Sequence, residues 1–230
     1  MTDFVLVRHG RPEIEVRETG IADPGLDDIG RWQSERLATW LAHEPVDRVV
    51  TSPKARAAET VAPLASTLGL TADVIHDLDE IDRNSRQYYP TELVHTQGGE
   101  YWEAIQRMDY EAIGWDDFGT FIARVTAAWE ALVADPGGDR VVVAAHGGTI
   151  RVILGAVSGQ GMMDVDVDYA SICRIRSTDG ATRFVSINET GHFDADRTEV
   201  RGPMGDGGTV ADAFHRSGAL SKFREEGTRS

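Results

Sequence analysis

The sequence predicts an α/β fold: a three-layer sandwich in which a mostly parallel central sheet carries helices on both faces. Two observations lead there. The apolar runs FVLV (4–7) and VVVAA (141–145) are continuous rather than alternating, as in strands covered on both faces. Between the strand-like segments lie stretches with apolar residues at helical spacing, so strands and helices alternate along the chain.

FVLV forms the first strand. LDDIGRWQSERLATWLA (26–42) is a helix, with Ile29, Trp32, Leu37, Trp40 and Leu41 along one apolar stripe. VDRVVTS (46–52) is a second strand, after which Ser52 suits an N-cap and Pro53 the entry to a helix. That helix, KARAAETVAPLASTLG, closes at Gly69, and Pro63 is expected to kink or split it. Val74 and Ile75 form a short strand before the acidic run DLDEID (77–82). Residues 83–120 are polar and aromatic, with no clear period. FIARVTAAWEALVAD (121–135) is a helix and PGGD a turn, and VVVAA is the strongest strand. VVVAA runs into His146, Gly147 and Gly148 and the helix TIRVILGAV. ICRIRS and RFVSI, joined by TDGA, are the closing strands. From residue 195 the chain is rich in Gly and charge and reads as a C-terminal tail (195–230) outside a domain of residues 1–194.

The 230 residues include 41% hydrophobic and 27% charged residues, enough for one sizeable core. The formal net charge of −15 argues against nucleic acid or an anionic membrane as partner, since both are polyanions. It leaves room for a small phosphorylated substrate, which responds to the local field of a pocket. A single cysteine, Cys173, forms no internal disulfide and reads as a core residue. No 18-residue apolar run or signal-like segment is visible, so the expectation is a cytoplasmic protein. A homodimer through Trp40 or the tail is compatible with the sequence.

The first strand ends in Arg8, His9 and Gly10, and the strongest later strand ends in His146, Gly147 and Gly148. Ligands of parallel α/β sheets bind beyond the carboxyl ends of the strands. Both histidines and Arg8 can therefore share one pocket with Arg56, early in the helix after VVTS. Arginine offers a planar fork for phosphate oxygens. The glycines let backbone approach closely, and the amides opening the helix at Gly147 and Gly148 can donate to an anion. An imidazole whose other nitrogen is held by a hydrogen bond is a competent nucleophile toward phosphorus.

LVRHGR, TSPKARAAET and AAHGGTIR, in this order, resemble the histidine phosphatase superfamily, with its phosphoglycerate-mutase-like fold. GLDDIGRWQSERLA, ASICRI and INETGHF are similar to further family segments, so the likeness covers roughly residues 3–193. It implies a phosphomonoester hydrolase with His9 as nucleophile and Arg8, Arg56 and Gly147 at the phosphate. His146 would steady the transition state, and Glu80 would protonate the leaving group and then activate water. It implies no metal and no cofactor. Asp79 and Asp82 are adjacent and chemically competent, and spacing does not choose among the three; the family's Leu-x-Glu pattern favours Glu80. Where many relatives carry an asparagine this chain has Glu15, which must point away or be screened by Arg11 or Arg17 to avoid repelling a dianion.

The resemblance places a substrate-selecting cap at residues 83–120. There Arg83, Arg86 and Arg107 are candidates for a second anionic group. Tyr88, Tyr89 and Trp102 either stack on the substrate or pack the cap itself. HGGT and DRNSRQYY differ from the corresponding stretches of the family's mutases and point to hydrolysis rather than a phosphoglycerate-type mutase. Two further readings are a non-catalytic binder of phosphorylated ligands and a metal hydrolase built on His9 and His146. Arg8 opposes the second, because a cation beside a ligand histidine weakens metal binding. His43, His76, His95 and His215 read as surface or uncommitted residues, and His192 as structural.

Overall fold

A computed structural model describes residues 1–89 and 98–193. Its strands are β1 (Thr2–Arg8), β2 (Glu15–Val16), β3 (Arg48–Thr51), β4 (Ala72–Val74), β5 (Gln87–Tyr88), β6 (Arg140–Ala145), β7 (Ile172–Thr178) and β8 (Ala181–Glu189). Its helices are α1 (Asp28–Leu41), α2 (Ala55–Leu68), α3 (Gly99–Arg107), α4 (Phe118–Ala134) and α5 (Gly147–Ser158).

Six strands form one sheet in the order β4-β3-β6-β1-β7-β8. β4, β3, β6 and β1 run parallel, while β7 and β8 are antiparallel additions at one edge. Side chains alternate across the sheet, as a strand's period of two requires. Val5, Val7, Val49 and Val142 face α1 and α2, with Leu37, Leu41, Val61 and Leu64. Phe4, Leu6, Val141 and Val143 face α4 and α5, with Phe121, Trp129, Ile150 and Ile153. Both faces of the central strands are buried, which is why the strand sequences are apolar throughout. The Cys173 side chain is buried in this core. No helix among the described residues is long and apolar enough to cross a membrane.

The path from β1 leads through α1 to β3 on one side of β6, and the path from β6 leads through α5 to β7 on the other side of β1. The chain therefore diverges between β1 and β6, the switch point at which an open α/β sheet leaves a crevice.

Pro63 does not break α2, which runs unbroken from Ala55 to Leu68 and ends on Gly69 at φ 66°. Proline at 63 removes the amide that would serve the carbonyl of Glu59. The hydroxyl of Ser34 on α1 shares its one proton between that carbonyl, at 3.1 Å, and Thr60 O, at 2.8 Å. Ser52 is not the helix cap either. The N-cap position belongs to Lys54, and Asp23 accepts from Ala55 N at 2.9 Å.

The close approach at Gly10 is to α1. A Cβ there would meet Gly30 O at 2.8 Å, and a Cβ on Gly30 would meet Arg11 O at 2.0 Å. Gln33, one turn further along α1, accepts from Arg11 N at 2.8 Å. This explains the Gly-x-x-Gln spacing of α1: the loop leaving His9 rests against helix backbone.

Residues 83–89 and 98–117 form a small layer beside the carboxyl edge of the sheet. β5 pairs antiparallel with β2. Tyr110 stacks on Trp115 at 7° between planes, and Trp115 Nε1 donates to Tyr101 Oη at 2.8 Å. Tyr101 and Trp102 pack against the core with them. The aromatics of this layer thus mostly hold one another, and only part of the set reaches the site. His43 and His76 are exposed. His95, His215 and the tail from residue 195 lie outside the described residues.

Candidate active site

The register of β1 and β6 sets Arg8 opposite Ala145, so the next residue of each strand is a histidine at the same level. His9 N donates to Ala145 O at 2.9 Å. The two rings stand edge to face, with centroids 5.2 Å apart. Both side chains are buried, His9 at 3% and His146 at 1% exposure. Burial, with Arg56 and Arg8 adding repulsion, holds His9 well below the usual imidazole range; burial first, then Arg56, does the same at His146. Both rings are therefore neutral at pH 7.

Their hydrogen bonds give them different functions. His9 Nδ1 lies 2.7 Å from Gly10 O. A carbonyl only accepts, so Nδ1 carries the proton and Nε2 keeps its lone pair. Gly10 is itself fixed by Thr60 Oγ1, which accepts from Gly10 N at 2.8 Å and donates to Arg56 O at 2.6 Å. His146 Nε2 lies 2.7 Å from Ser52 Oγ, and that oxygen accepts from Lys54 N at 3.3 Å. The hydrogen bond to Ser52 Oγ holds the His146 ring by Nε2 and leaves Nδ1 without a hydrogen-bond partner among the described residues. His9 is thus held by Nδ1 and His146 by Nε2. β3 makes this possible, because Ser52 N donates to Ala144 O and sits beside His146.

Two donors of buried Arg56, Nε and Nη1, have no hydrogen-bond partner among the described residues, and neither has the ring nitrogen His146 Nδ1. Arg56 is 1% exposed, lies 4.3 Å over the Tyr88 ring, and meets Asp82 only through Nη2, at 3.3 Å. Arg8 donates from Nη1 to Val167 O at 2.7 Å and lies 3.9 Å over Tyr169. A cavity of about 60 Å³ is lined by Arg8, His9, Arg56, Glu80, Gly147 and Gly148. Its outer wall includes Tyr89, Trp115, Phe118 and Phe121.

The three candidate carboxylates of DLDEID, Asp79, Glu80 and Asp82, are placed differently. Asp82 lines the cavity but is engaged by Arg56. Asp79 stands off the cavity, with Lys54 Nζ at 3.9 Å and His146 Nε2 at 4.0 Å. Glu80 lines the cavity, and burial, reinforced by Asp82, pushes its carboxyl above the usual range. It accepts from Ile81 N at 2.9 Å and from Gly148 N at 2.8 Å. The Gly148 amide thus serves Glu80 and not an external anion. A Cβ at Gly148 would come within 2.4 Å of Glu80 Oε1, so this glycine makes room for the carboxylate.

Several site residues were not singled out in the sequence. Arg124 of α4 donates to the carbonyls of Asp77, Asp79 and Glu80 and pairs with Asp116 at 2.8 Å, fixing the loop that carries Glu80. Ser52, Lys54 and Arg151 are buried around the site, and only their places in TSPK and GGTIR could have signalled them. Glu15, which threatened a bound dianion, is engaged elsewhere: Arg17 lies 2.7 Å from Oε1 and Asp23 N donates to Oε2. Arg83 and Arg107 pair with Asp116 and Glu103, Arg86 donates to Glu18 O, and none of the three lines the cavity.

The sequence profile of the histidine phosphatase superfamily (branch 1) matches residues 4–190. A bifunctional protein of Mycobacterium tuberculosis is 27% identical over 201 residues, which are 84% of this chain and 55% of the relative. This chain spans about half the length of that relative. A 2,3-bisphosphoglycerate-dependent phosphoglycerate mutase of Azorhizobium caulinodans is 31% identical over 174 residues, 70% of this chain and 84% of the mutase. The solved structure of an alpha-ribazole phosphatase of Shigella flexneri superposes with a TM-score of 0.64 at 21% identity, covering 82% of this chain and 96% of that one. At that identity the likeness concerns the fold.

Proposed function

Because the chain belongs to the histidine phosphatase superfamily (branch 1), we propose that it is a metal-independent phosphomonoester hydrolase that works through a phosphohistidine on His9. The observation that carries this reading is the pair of partnerless donors on buried Arg56, Nε and Nη1, in a cavity shared with a neutral histidine. Buried polar groups are normally paired. A phosphoryl group brings several acceptor oxygens and negative charge, which suits both donors and Arg8 at once.

In the first step His9 Nε2 attacks phosphorus, and the bond from phosphorus to the leaving oxygen breaks. Glu80 gives that oxygen its proton. Burial raises this carboxyl above the usual range, which favours its protonated form as a proton donor. Gly10 O keeps its hydrogen bond to His9 Nδ1–H and steadies the charge on the substituted ring. In the second step the Glu80 carboxylate takes a proton from water. The water oxygen attacks phosphorus, the P–N bond breaks, and phosphate leaves with His9 neutral again. Arg8 and Arg56 provide the fixed positive charge that a metal provides in other phosphatases. We assign Gly147 to the rim of the phosphate site, which it lines.

The test is phosphate release from 4-nitrophenyl phosphate in EDTA. Wild type should turn over, and His9→Ala should lose about a thousandfold or more. Substantial activity in His9→Ala would remove His9 as nucleophile, and loss of wild-type activity in EDTA would remove the metal-independent mechanism.

A further inference from the structure

The cavity holds a buried cation that the hydrolysis just described does not use. Arg151, on α5, lines the same cavity as Arg8 and is 5% exposed. Its side chain has one hydrogen bond, from Nε to Val165 O at 2.8 Å, and no carboxylate lies within 4.0 Å of it among the described residues. A carbonyl fixes a guanidinium but does not neutralise it. Met162, Val167, Trp115, Phe118 and Phe121 line the cavity with it, so its surroundings are largely apolar. Burial, and then the charge of Arg8, weaken its hold on its proton, while Asp164, Glu80 and Asp166 oppose them without touching the guanidinium.

Burying a charge without a contacting counter-charge is costly. Two other deeply buried guanidiniums near the site each touch a carboxylate: Arg56 meets Asp82 and Arg124 meets Asp116. Arg151 is matched by no carboxylate, and it faces a cavity that takes an anion. The three cap arginines that the sequence offered for a second anionic group are committed elsewhere, while Arg151 meets the requirement from within the sheet-packed core.

We propose that Arg151 binds a second anionic group, a carboxylate or a second phosphate, on the leaving-group side of the substrate. The substrate class is then a small phosphomonoester whose alcohol portion bears its own negative charge. This rests on the phosphatase reading and adds a specificity-determining residue to it. Arg151 takes no part in bond making or breaking.

The experiment compares kcat/KM for 3-phosphoglycerate (carboxylate), fructose 1,6-bisphosphate (second phosphate) and 4-nitrophenyl phosphate (neither) in wild type, Arg151→Met and Arg151→Lys. Arg151→Met should lose at least about tenfold more on one of the two charged substrates than on 4-nitrophenyl phosphate, mostly in KM. Arg151→Lys, which keeps the charge, should recover part of that difference. The charged substrate that suffers identifies which anion is read. Equal losses on all three substrates, or an unchanged ratio, would overturn the proposal. If wild type hydrolyses none of them, the phosphatase reading fails by itself. Calorimetric binding of 3-phosphoglycerate, fructose 1,6-bisphosphate and glycerol 3-phosphate then decides the present point. A preference for either of the first two that is lost in Arg151→Met supports it, and no preference overturns it.

Discussion

At the scale of single residues, the site depends on where protons are held. Gly10 O and Ser52 Oγ engage opposite nitrogens of His9 and His146, Nδ1 of the first and Nε2 of the second. One residue type is thus held in two different ways. Glu80 depends on a neighbour that contributes no side chain. Gly148→Ala would bring a methyl group to 2.4 Å from the carboxylate, so the carboxylate must turn away from the leaving oxygen. We expect this variant to keep its fold and to lose about tenfold to a hundredfold in kcat on alkyl phosphates, with a smaller loss on 4-nitrophenyl phosphate, whose leaving group needs no proton. Equal losses on both substrates would show that Glu80 is not the acid. Glu80→Gln should give the same selective pattern, and agreement between the two variants checks the assignment.

At the scale of elements, helices α1 and α2 are joined by polar ties as well as by leucines. Pro63 leaves the Glu59 carbonyl without its intrahelical donor, and Ser34 serves it from across the helix pair. Ser34→Ala should cost about 1–3 kcal/mol in urea unfolding, because a buried acceptor loses its partner. In a Pro63→Ala background, where residue 63 regains an amide, the same substitution should cost less. Additive effects in that double-mutant cycle would refute the account. The acidic segment is organised in a similar way. Arg124 collects three of its carbonyls, so the direction of Glu80 is set by a helix more than 40 residues further along.

At the scale of the whole molecule, the divergence of the chain between β1 and β6 places two histidines 137 residues apart in sequence beside each other. Their burial has a consequence for stability. His192 is also buried, accepts no charge readily, and is pushed down to about 4 by burial, against 6.5 for an ordinary histidine. His9 and His146 are lowered as well. For each, the folded form resists a proton that the unfolded chain accepts. Unfolding then takes up protons, so stability is full above pH 6.5 and falls as pH drops from there toward the folded values. For His192 alone the loss from pH 7 to pH 4 is about 3 kcal/mol. Urea midpoints measured across that range should fall steadily, and His192→Gln should flatten the slope. A flat profile in the wild type would contradict the burial of these rings as neutral groups.

The sequence by itself determined the layered α/β fold, because strands buried on both faces must be apolar throughout and helices packed on them must carry stripes. It also determined which residue types end β1 and β6, since histidine, arginine and glycine have no packing reason to follow VVVAA or FVLV. Tertiary structure alone decided the rest. That Asp79 stands off the cavity, Asp82 is engaged there by Arg56 and Glu80 is left to other partners depends on Lys54, Arg56 and Arg124, which come from other elements. Ser52 looked like a helix cap because local spacing cannot show a histidine on the next strand. Arg151 looked like one more charge on a helix, because whether a cation is neutralised depends on what folds around it, and no short-range pattern records that.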